Sequence, residues 1–477
     1  MRLFYPYFKK AVLKTLRGNE ANDVILDIFA KNKTQIFHNK SPYDVLHELP
    51  DKDQLLDISV LKLEQLTTLK NLHQKLLSLQ NDLSQRPVSG CALFGVLPPE
   101  ETGIAVYNAK TFGINDGYHV FSDFSQPSHY TIAKERAGDN YKDNFFQIDL
   151  FSTANKLFSY RKKIFVFGNS PHNIPYFNAA INEQDKNSSY LYLHEINMHN
   201  LLYYYLGFPL YQKILSAVYP ENMESFSQFD EITFESIKDK IKYGIRAVLL
   251  LTGVTKIFVN NENAKKLLLE DIKGTIFENT LTITTLFLPV SDLRDVEIES
   301  KLLADNDCIK AGSFGLCDNQ TKSTNTIVDA VVLLNEKYNI KAKCILAGYD
   351  TELYISGNIP EIKQKYVIGF SNLTNENFVS IMKQIDIAVQ LRNYPHGESS
   401  ATILELLGLN KKVITSLDFI DKKFEKYCQV VPRFVSAEKL AEKIIDTLNI
   451  NDDVTDTELL LKEYSFGNLS DTILKII

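Results

Sequence analysis

No apolar run in this 477-residue sequence approaches a membrane span. The longest, such as Ala247 to Leu251 and Leu286 to Val290, fall far short of the roughly 20 residues needed to cross a bilayer. The 5 cysteines are scattered and form no pair at metal-ligand spacing. A basic excess is missing too: 52 Lys and Arg stand against 59 Asp and Glu, a net charge of −7, which argues against a general nucleic-acid binder. Any recognition of phosphate therefore has to be local. Met1 to Phe8 lacks the basic, apolar, small-residue order of a secretory signal, so a reducing cytoplasm is the expected setting. Two carboxylates at cation-holding spacing occur in Asp51-Lys52-Asp53 and Asp305-Asn306-Asp307, but neither follows a strand. Both read as solvated turns, and neither a metal nor a cofactor is expected.

The composition that remains is globular. Hydrophobic residues at 44% and charged residues at 23% sit at the averages of packed domains, excluding disorder and fibrous repeats. At about 150 residues per domain, the length suggests about three units.

Residues 1–88 carry few strand-like runs and a helical periodicity from Leu55 to Leu83, which predicts a helical extension. Met1 to Arg17 mixes Leu3, Phe4, Tyr5, Tyr7, Phe8, Val12 and Leu13 with Arg2, Lys9, Lys10, Lys14 and Arg17. Such a helix can rest on anionic lipid at the inner face of the plasma membrane, or lay its apolar stripe on the next domain; surface helices commonly do the latter.

From Gly90 onward strand-like and helical stretches alternate. Cys91 to Val96, Lys163 to Phe167, Ser189 to His194 and Lys256 to Asn260 form a first series. A second begins near Ala311 to Leu316 and continues with Cys344 to Ala347, Tyr366 to Ile368, Ile387 to Leu391 and Lys412 to Thr415. Alternation of this kind predicts two doubly wound parallel sheets, residues 89–290 and 291–450, with a helix in 451–477 returning to the first. The join is expected where Pro289 interrupts Leu288 to Asp292. A cleft between two such domains is a natural ligand site.

Asp386 to Arg392 reads as a buried strand, Asn393-Tyr394-Pro395-His396-Gly397 as a loop, and Ser399 to Leu407 as a helix. Free N–H groups and the dipole at such a helix start attract anions; Gly397 frees the turn, and the small Ser399, Ser400 and Ala401 let a diphosphate approach. Glu405 leans back toward the same end and is placed to accept ribose hydroxyls. The purely structural alternative is a capping box of Thr402 and Glu405 on a core helix ending at Gly408.

Other candidates are scattered. Gly103, in Leu97-Pro98-Pro99-Glu100-Glu101-Thr102-Gly103-Ile104-Ala105, would form a glycine turn after the first strand. His194 and Glu195 end a strand, as ligand-binding residues do in such folds, although a lone strand-end histidine is usually structural. Lys322 precedes the helix Thr326 to Leu334 and can place an ammonium on a phosphate, although most such lysines are solvated.

Together these segments resemble glycosyltransferase family 4 over roughly residues 90 to 450. Leu97 to Tyr107 resembles the family's Pro-Pro-x-x-Ser-Gly-Ile-Ala-x-Tyr segment, with Thr102 at the serine position, and Tyr192-Leu193-His194-Glu195 its strand-end histidine motif. Ser313-Phe314-Gly315-Leu316 with Lys322 resembles its diphosphate-holding pair, and Val367-Ile368-Gly369-Phe370 the loop that frames the base. Asp386 to Thr415 matches best: Glu405 falls on the second of two paired glutamates, Gly397 on the first, and the motif Gly397-Glu398-Ser399-Ser400 is similar to that of a subgroup in which Glu398 stands beside the donor sugar. Leu316 replaces an expected arginine, a charge Arg392 would restore.

The resemblance implies an α/β GT-B fold, two Rossmann-like doubly wound domains facing a cleft beside an N-terminal helical extension. It implies a retaining, metal-independent hexosyltransferase that moves sugar from a nucleotide diphosphate sugar to a hydroxyl of a glycan or lipid-linked acceptor, in assembly of cell-surface polysaccharide or glycoconjugate. His194, Glu398 and Lys322 would be catalytic, and Gly103, Gly315, Ile368, Arg392, Gly397, Ser399, Ser400, Ala401 and Glu405 would bind donor. The alternatives are a non-catalytic GT-B subunit that stabilises a partner enzyme, and a sugar-nucleotide epimerase using Glu195 and His172.

Overall fold

Parallel strands that are apolar along their whole length need helices on both faces of their sheet, and the computed structural model of this chain contains two such sheets. It describes residues 65–71, 74, 90–100, 102–158, 160–222, 243–297, 303, 307–450 and 457–477. The helix expected at Met1 to Arg17, most of the 1–88 extension, Asp51-Lys52-Asp53, Asp305 and Asn306 lie outside them.

The described chain divides into two compact units. Residues up to Asn260, Ala264–Leu286 and Leu469–Ile477 form the first; Asn261–Asn263 and Phe287–Asn468 form the second.

In the first unit, β1 (Cys91–Phe94), β2 (Tyr118–Ser122), β3 (Phe145–Gln147), β4 (Lys162–Phe167), β5 (Ser189–Leu193), β6 (Lys256–Val259) and β7 (Thr282–Thr285) run in the order β3-β2-β1-β4-β5-β6-β7. Every pairing is parallel. Because the chain winds outward from β1 first one way and then the other, β1 and β4 flank a switch point, where the loops at their carboxyl ends diverge and leave a crevice. Aromatic rings fill the centre: Phe94 stacks on Phe121 at 5.5 Å and on Phe165 at 4.7 Å, with Phe151 edge-on at 4.7 Å.

Two remote segments close this unit. Residues 65–71 are helical; Leu69 is buried in the core and Gln65 Oε1 accepts from Gln147 N at 2.7 Å. The helix Phe466–Ile476 buries Leu469 and Ile473, while the Ser470 carbonyl accepts from the Tyr118 hydroxyl at 2.8 Å and Asp471 from Asn115 at 2.9 Å.

The second unit repeats the plan with β8 (Ile309–Phe314), β9 (Ala342–Gly348), β10 (Val367–Ser371), β11 (Ile387–Gln390), β12 (Lys412–Ser416) and β13 (Gln429–Val431), in the order β10-β9-β8-β11-β12-β13. Its switch point lies between β8 and β11. One face is covered by the helices Thr324–Glu336 and Ala437–Leu448, whose Ile327, Val331, Leu334, Leu440 and Ile444 share a core with Ile387 and Val389.

Several boundaries differ from expectation. The strand read as Ala311 to Leu316 stops at Phe314, because Gly315 turns the chain at φ +91°. The strand expected at Tyr366 to Ile368 is the edge strand β10 and runs on to Ser371, so the segment Val367 to Phe370 that resembles a base-framing loop is strand. Gly103 is not a turn; it opens the helix Gly103–Phe112, which Thr102 caps by accepting from Ala105 N at 3.1 Å.

Truncating Leu469 to alanine removes a fully buried side chain of the returning helix and should lower the unfolding free energy of the first unit by about 2–5 kcal/mol. Urea titration read by tyrosine fluorescence, in a chain with 0 tryptophan, measures it. An unchanged first-unit transition would show that the helix adds nothing to that core.

Candidate functional site

At the second unit's switch point the sequence after β8 turns twice. Gly315 takes φ +91°, a region that penalises a side chain, and Gly348 beside it has no room for one: a Cβ there would lie 2.1 Å from the Gly315 carbonyl oxygen. Asp318 then caps the short helix Asn319–Lys322, accepting from Gln320 N at 3.2 Å and Thr321 N at 2.5 Å. This turn directs Lys322 back, so that its Nζ lies 3.0 Å from where a Cβ on Gly315 would be.

Among the described residues no carboxylate lies within ion-pair distance of Lys322. Burial lowers its pKa to about 8, and the charge of Arg392 acts in the same direction; Asp318 and Glu398 oppose it.

The other wall comes from the loop after β11. The Arg392 N–H donates to Ser416 Oγ at 2.9 Å, and its guanidinium lies 5.1 Å from the ring centre of Phe419. Arg392 Nε stands 2.8 Å from Glu398 Oε1, while Glu398 Oε2 accepts from His396 N at 2.5 Å. Gly397 adopts φ +82°, which a glycine allows without strain.

The helix that follows is Ala401–Gly408, two residues later than its expected start. Its cap is Ser400, which accepts from Ile403 N at 3.3 Å, so capping does not depend on the Thr402 and Glu405 pair. One orphan donor of the first turn is thus satisfied, and the amides of Ala401 and Thr402 remain at the positive end of the dipole.

Gly315, Lys322, Arg392, Glu398, Ser399, Ser400 and Thr402 line one cavity of about 170 Å³. Gly397 and Ala401 flank these residues in sequence. Ile368 does not line it: it sits in β10, paired in register with Ile345 of β9. Glu405 is half-buried one turn into the helix. Two cations, a helix start and small hydroxyl side chains around a concave space suit a polyanion.

The sequence reading missed Asn393. Its Nδ2 donates to Gln320 O at 2.8 Å, its Oδ1 accepts from Ser323 Oγ at 3.0 Å, and its N–H donates to Thr321 O at 2.7 Å. It therefore fastens the Lys322 turn to the Arg392 loop. A single asparagine after a strand carries no pattern to announce this.

His194 and Gly103 belong to the first unit. His194, only 8% exposed, ends a polar relay. The Tyr107 and Tyr192 hydroxyls are hydrogen-bonded, Tyr192 donates to Asn260 Oδ1 at 2.6 Å, and Asn260 Nδ2 stands 3.0 Å from His194 Nδ1. With Asn260 Oδ1 engaged as acceptor, its amide must donate, so Nδ1 accepts and the ring proton sits on Nε2. Nε2 has no partner among the described residues, and burial lowers the imidazole pKa to about 3. The result is a neutral, oriented hydrogen-bond donor. A Cβ on Gly103 would meet nothing within 4 Å. Glu195 has a structural task, accepting from Asn169 N at 2.9 Å.

A second cavity, of about 300 Å³, opens at the first unit's own switch point and includes Glu100, Asp123, His129 and His172. Among the described residues no three His, Cys, Asp or Glu side chains converge as a metal site.

No protein-family model and no curated protein matches the chain. Solved structures do. HepE of Anabaena, determined with UDP, superposes with a TM-score of 0.52 at 12% identity, over 81% of this chain and 99% of HepE. A glycosyltransferase of Rickettsia africae gives 0.51 at 14%, over 82% and 98%, and the trehalose-6-phosphate synthase OtsA 0.50 at 9%, over 81% and 98%. At these identities the likeness is one of fold. The chain has the GT-B fold, two Rossmann-like parallel-sheet domains with flanking helices.

Selective ¹⁵N histidine spectra should show His194 as the Nε2–H tautomer, neutral down to about pH 4. Because its folded pKa, about 3, lies below the ordinary 6.5, the unfolded chain binds the extra proton between these values. Stability from this group is then full above pH 6.5 and is lost as pH falls toward 3. Titration near 6.5 in the folded protein would contradict the relay.

Proposed function

We propose that this chain is a retaining, metal-independent glycosyltransferase similar to family 4, in cell-surface polysaccharide or glycoconjugate assembly. It transfers a hexose from a nucleotide diphosphate sugar to a hydroxyl of a glycan or lipid-linked acceptor, as a cytoplasmic protein. The observation that carries this reading is the anion-binding cavity at the second unit's switch point, where Lys322, Arg392 and the Ser400-capped helix converge. Support comes also from the fold, and from HepE, which binds UDP and UDP-glucose.

In this mechanism the sugar C1–oxygen bond to the diphosphate breaks and a bond from C1 to the acceptor oxygen forms on the same face. The acceptor proton passes to the departing diphosphate. Negative charge grows on that leaving group, and Lys322 with the Ala401 and Thr402 amides stabilises it without a metal. Arg392 would supply the charge absent at Leu316. Glu405 takes the ribose hydroxyls, Ile368 and its neighbours the base, Gly103 leaves space beside the donor, and His194 donates from neutral Nε2 to a sugar hydroxyl.

One observation favours the rival reading, a non-catalytic GT-B subunit: Glu398 is engaged by Arg392 and the His396 amide. Release of hexose from a sugar nucleotide by the purified chain separates the two, since a subunit of that kind releases none.

Lys322→Ala should lower kcat/KM by on the order of a hundredfold. Nucleoside diphosphate affinity in the wild type should fall as pH rises through about 8, where Lys322 loses its proton, and the variant should lack that limb. Calorimetric titration with UDP across pH 7 to 10 reads both; a wild-type affinity flat through this range, or near-normal turnover of the variant, would sink the assignment.

A further inference from the structure

The sheet of the second unit splits at its centre. The register between β8 and β9 runs through to Phe314 and Ala347, and that between β11 and β12 through to Gln390 and Thr415. Between β8 and β11 it holds only at Ile387 with Ala311 and Ala388 with Gly312. The two central strands therefore part before their carboxyl ends, and the cavity of about 170 Å³ opens beyond the split, with Phe314 and Gln390 both among its walls.

A split of this kind takes ladder partners away from backbone groups. The Gly315 N–H donates to the Ala347 carbonyl at 2.8 Å, toward β9. Backbone groups alternate in direction along a strand, so those of Phe314 face β11. Gln390 meets them with its side chain: oriented as its hydrogen bonds require, its Nε2 donates to the Phe314 carbonyl at 3.3 Å and its Oε1 accepts from the Phe314 N–H at 2.7 Å. Gln390 is 5% exposed and Phe314 3%, so both bonds are shielded from water.

The tie joins the two walls that carry charge. Phe314 leads directly into Gly315 and the turn that bears Lys322, and Gln390 stands two residues before Arg392. Asn393 binds the same two segments farther out. An apolar side chain at position 390, like those of Ile387 to Val389, would suit the buried strand but leave the Phe314 N–H and carbonyl to be met by water.

We infer that Gln390 is a positioning residue of the anion cavity: its amide stands in for a missing rung between β8 and β11, fixes the spacing of the Lys322 and Arg392 walls, and keeps water from entering beneath a bound diphosphate. The inference rests on the glycosyltransferase reading only in taking that diphosphate to belong to a nucleotide. The groups that act on the Lys322 charge are Arg392, Cys317, Asp318 and Glu398. Loss of the tie admits water and separates Lys322 from Arg392, whose influence on it exceeds that of Glu398, and both changes favour the ammonium.

The test uses the full chain and two variants. Gln390→Met keeps the length of the side chain and removes the amide; Gln390→Asn keeps an amide one methylene short of Phe314. Calorimetry with inorganic pyrophosphate at pH 7 should show Gln390→Met roughly tenfold weaker than the wild type. NMR of the lysine ε-methylenes, assigned with Lys322→Ala, should show the Lys322 pKa rising from about 8 toward the ordinary 10.5. Gln390→Asn should move both readings the same way by less, and stands in if Gln390→Met fails to melt cooperatively by circular dichroism. Weaker pyrophosphate binding with Lys322 unmoved would mark a merely structural loss and overturn the inference. So would a Lys322 pKa that falls, a pyrophosphate affinity that neither variant alters, or a wild type that binds no pyrophosphate. UDP, GDP, ADP and dTDP are titrated alongside: pyrophosphate binding that responds to Gln390→Met, with none of these nucleotides bound, supports the inference and overturns the nucleotide-sugar reading.

Discussion

The second unit keeps a positive charge partly dehydrated at its switch point, the ammonium of Lys322. Burial works against its charge and pulls the pKa to about 8. An ammonium held in this condition responds strongly to an incoming anion, because water screens it little and no carboxylate among the described residues already neutralises it at contact distance. The arrangement depends on short-range geometry: Gly315 leaves the space that the ammonium occupies, Asp318 winds the turn that carries it, and Asn393 fixes the turn to the loop after β11. None of these three need touch a ligand to decide where the charge stands.

The two parallel sheets were legible in the sequence, because Cys91 to Phe94, Ile164 to Phe167 and Tyr190 to Leu193 are apolar throughout, as strands buried on both faces must be. The short or polar strands were not. Tyr118–Ser122 carries a histidine, Phe145–Gln147 is only 3 residues long, Thr282–Thr285 is half-exposed threonine, and Gln429–Val431 is likewise 3 residues. Their strand state is set by pairing with neighbours and not by their own periodicity. The same division runs through the candidate site. Gly397, Ser399 and Ser400 announce a glycine turn into a helix start, whereas the roles of Asn393, Asn260 and Tyr192 arise only from contacts across dozens of residues, which no local pattern encodes. The edge strand Val367–Ser371 was legible only in part, as Tyr366 to Ile368.

The units treat polar groups in two distinct ways. In the second, the half-buried Lys322 ammonium has no carboxylate at contact distance among the described residues. In the first, charge is removed: His194 is held neutral by burial, and the Tyr107, Tyr192 and Asn260 relay spends the acceptor on one ring nitrogen so that the other must donate. An imidazole in water would offer both tautomers and, below pH 6.5, a cation. Here its environment selects one species, a neutral ring that donates from Nε2.

Leu316 and Arg392 sharpen this division. Leu316 is 57% exposed, so a charge at that position would be a hydrated one. Arg392 lies deeper, stacked near Phe419, with its backbone tied to Ser416 and its side chain beside Glu398. Two half-buried cations, Lys322 and Arg392, repel one another, and the charge of Arg392 helps to lower the Lys322 pKa. Glu398 answers that repulsion: it neutralises Arg392 while itself held by the His396 amide.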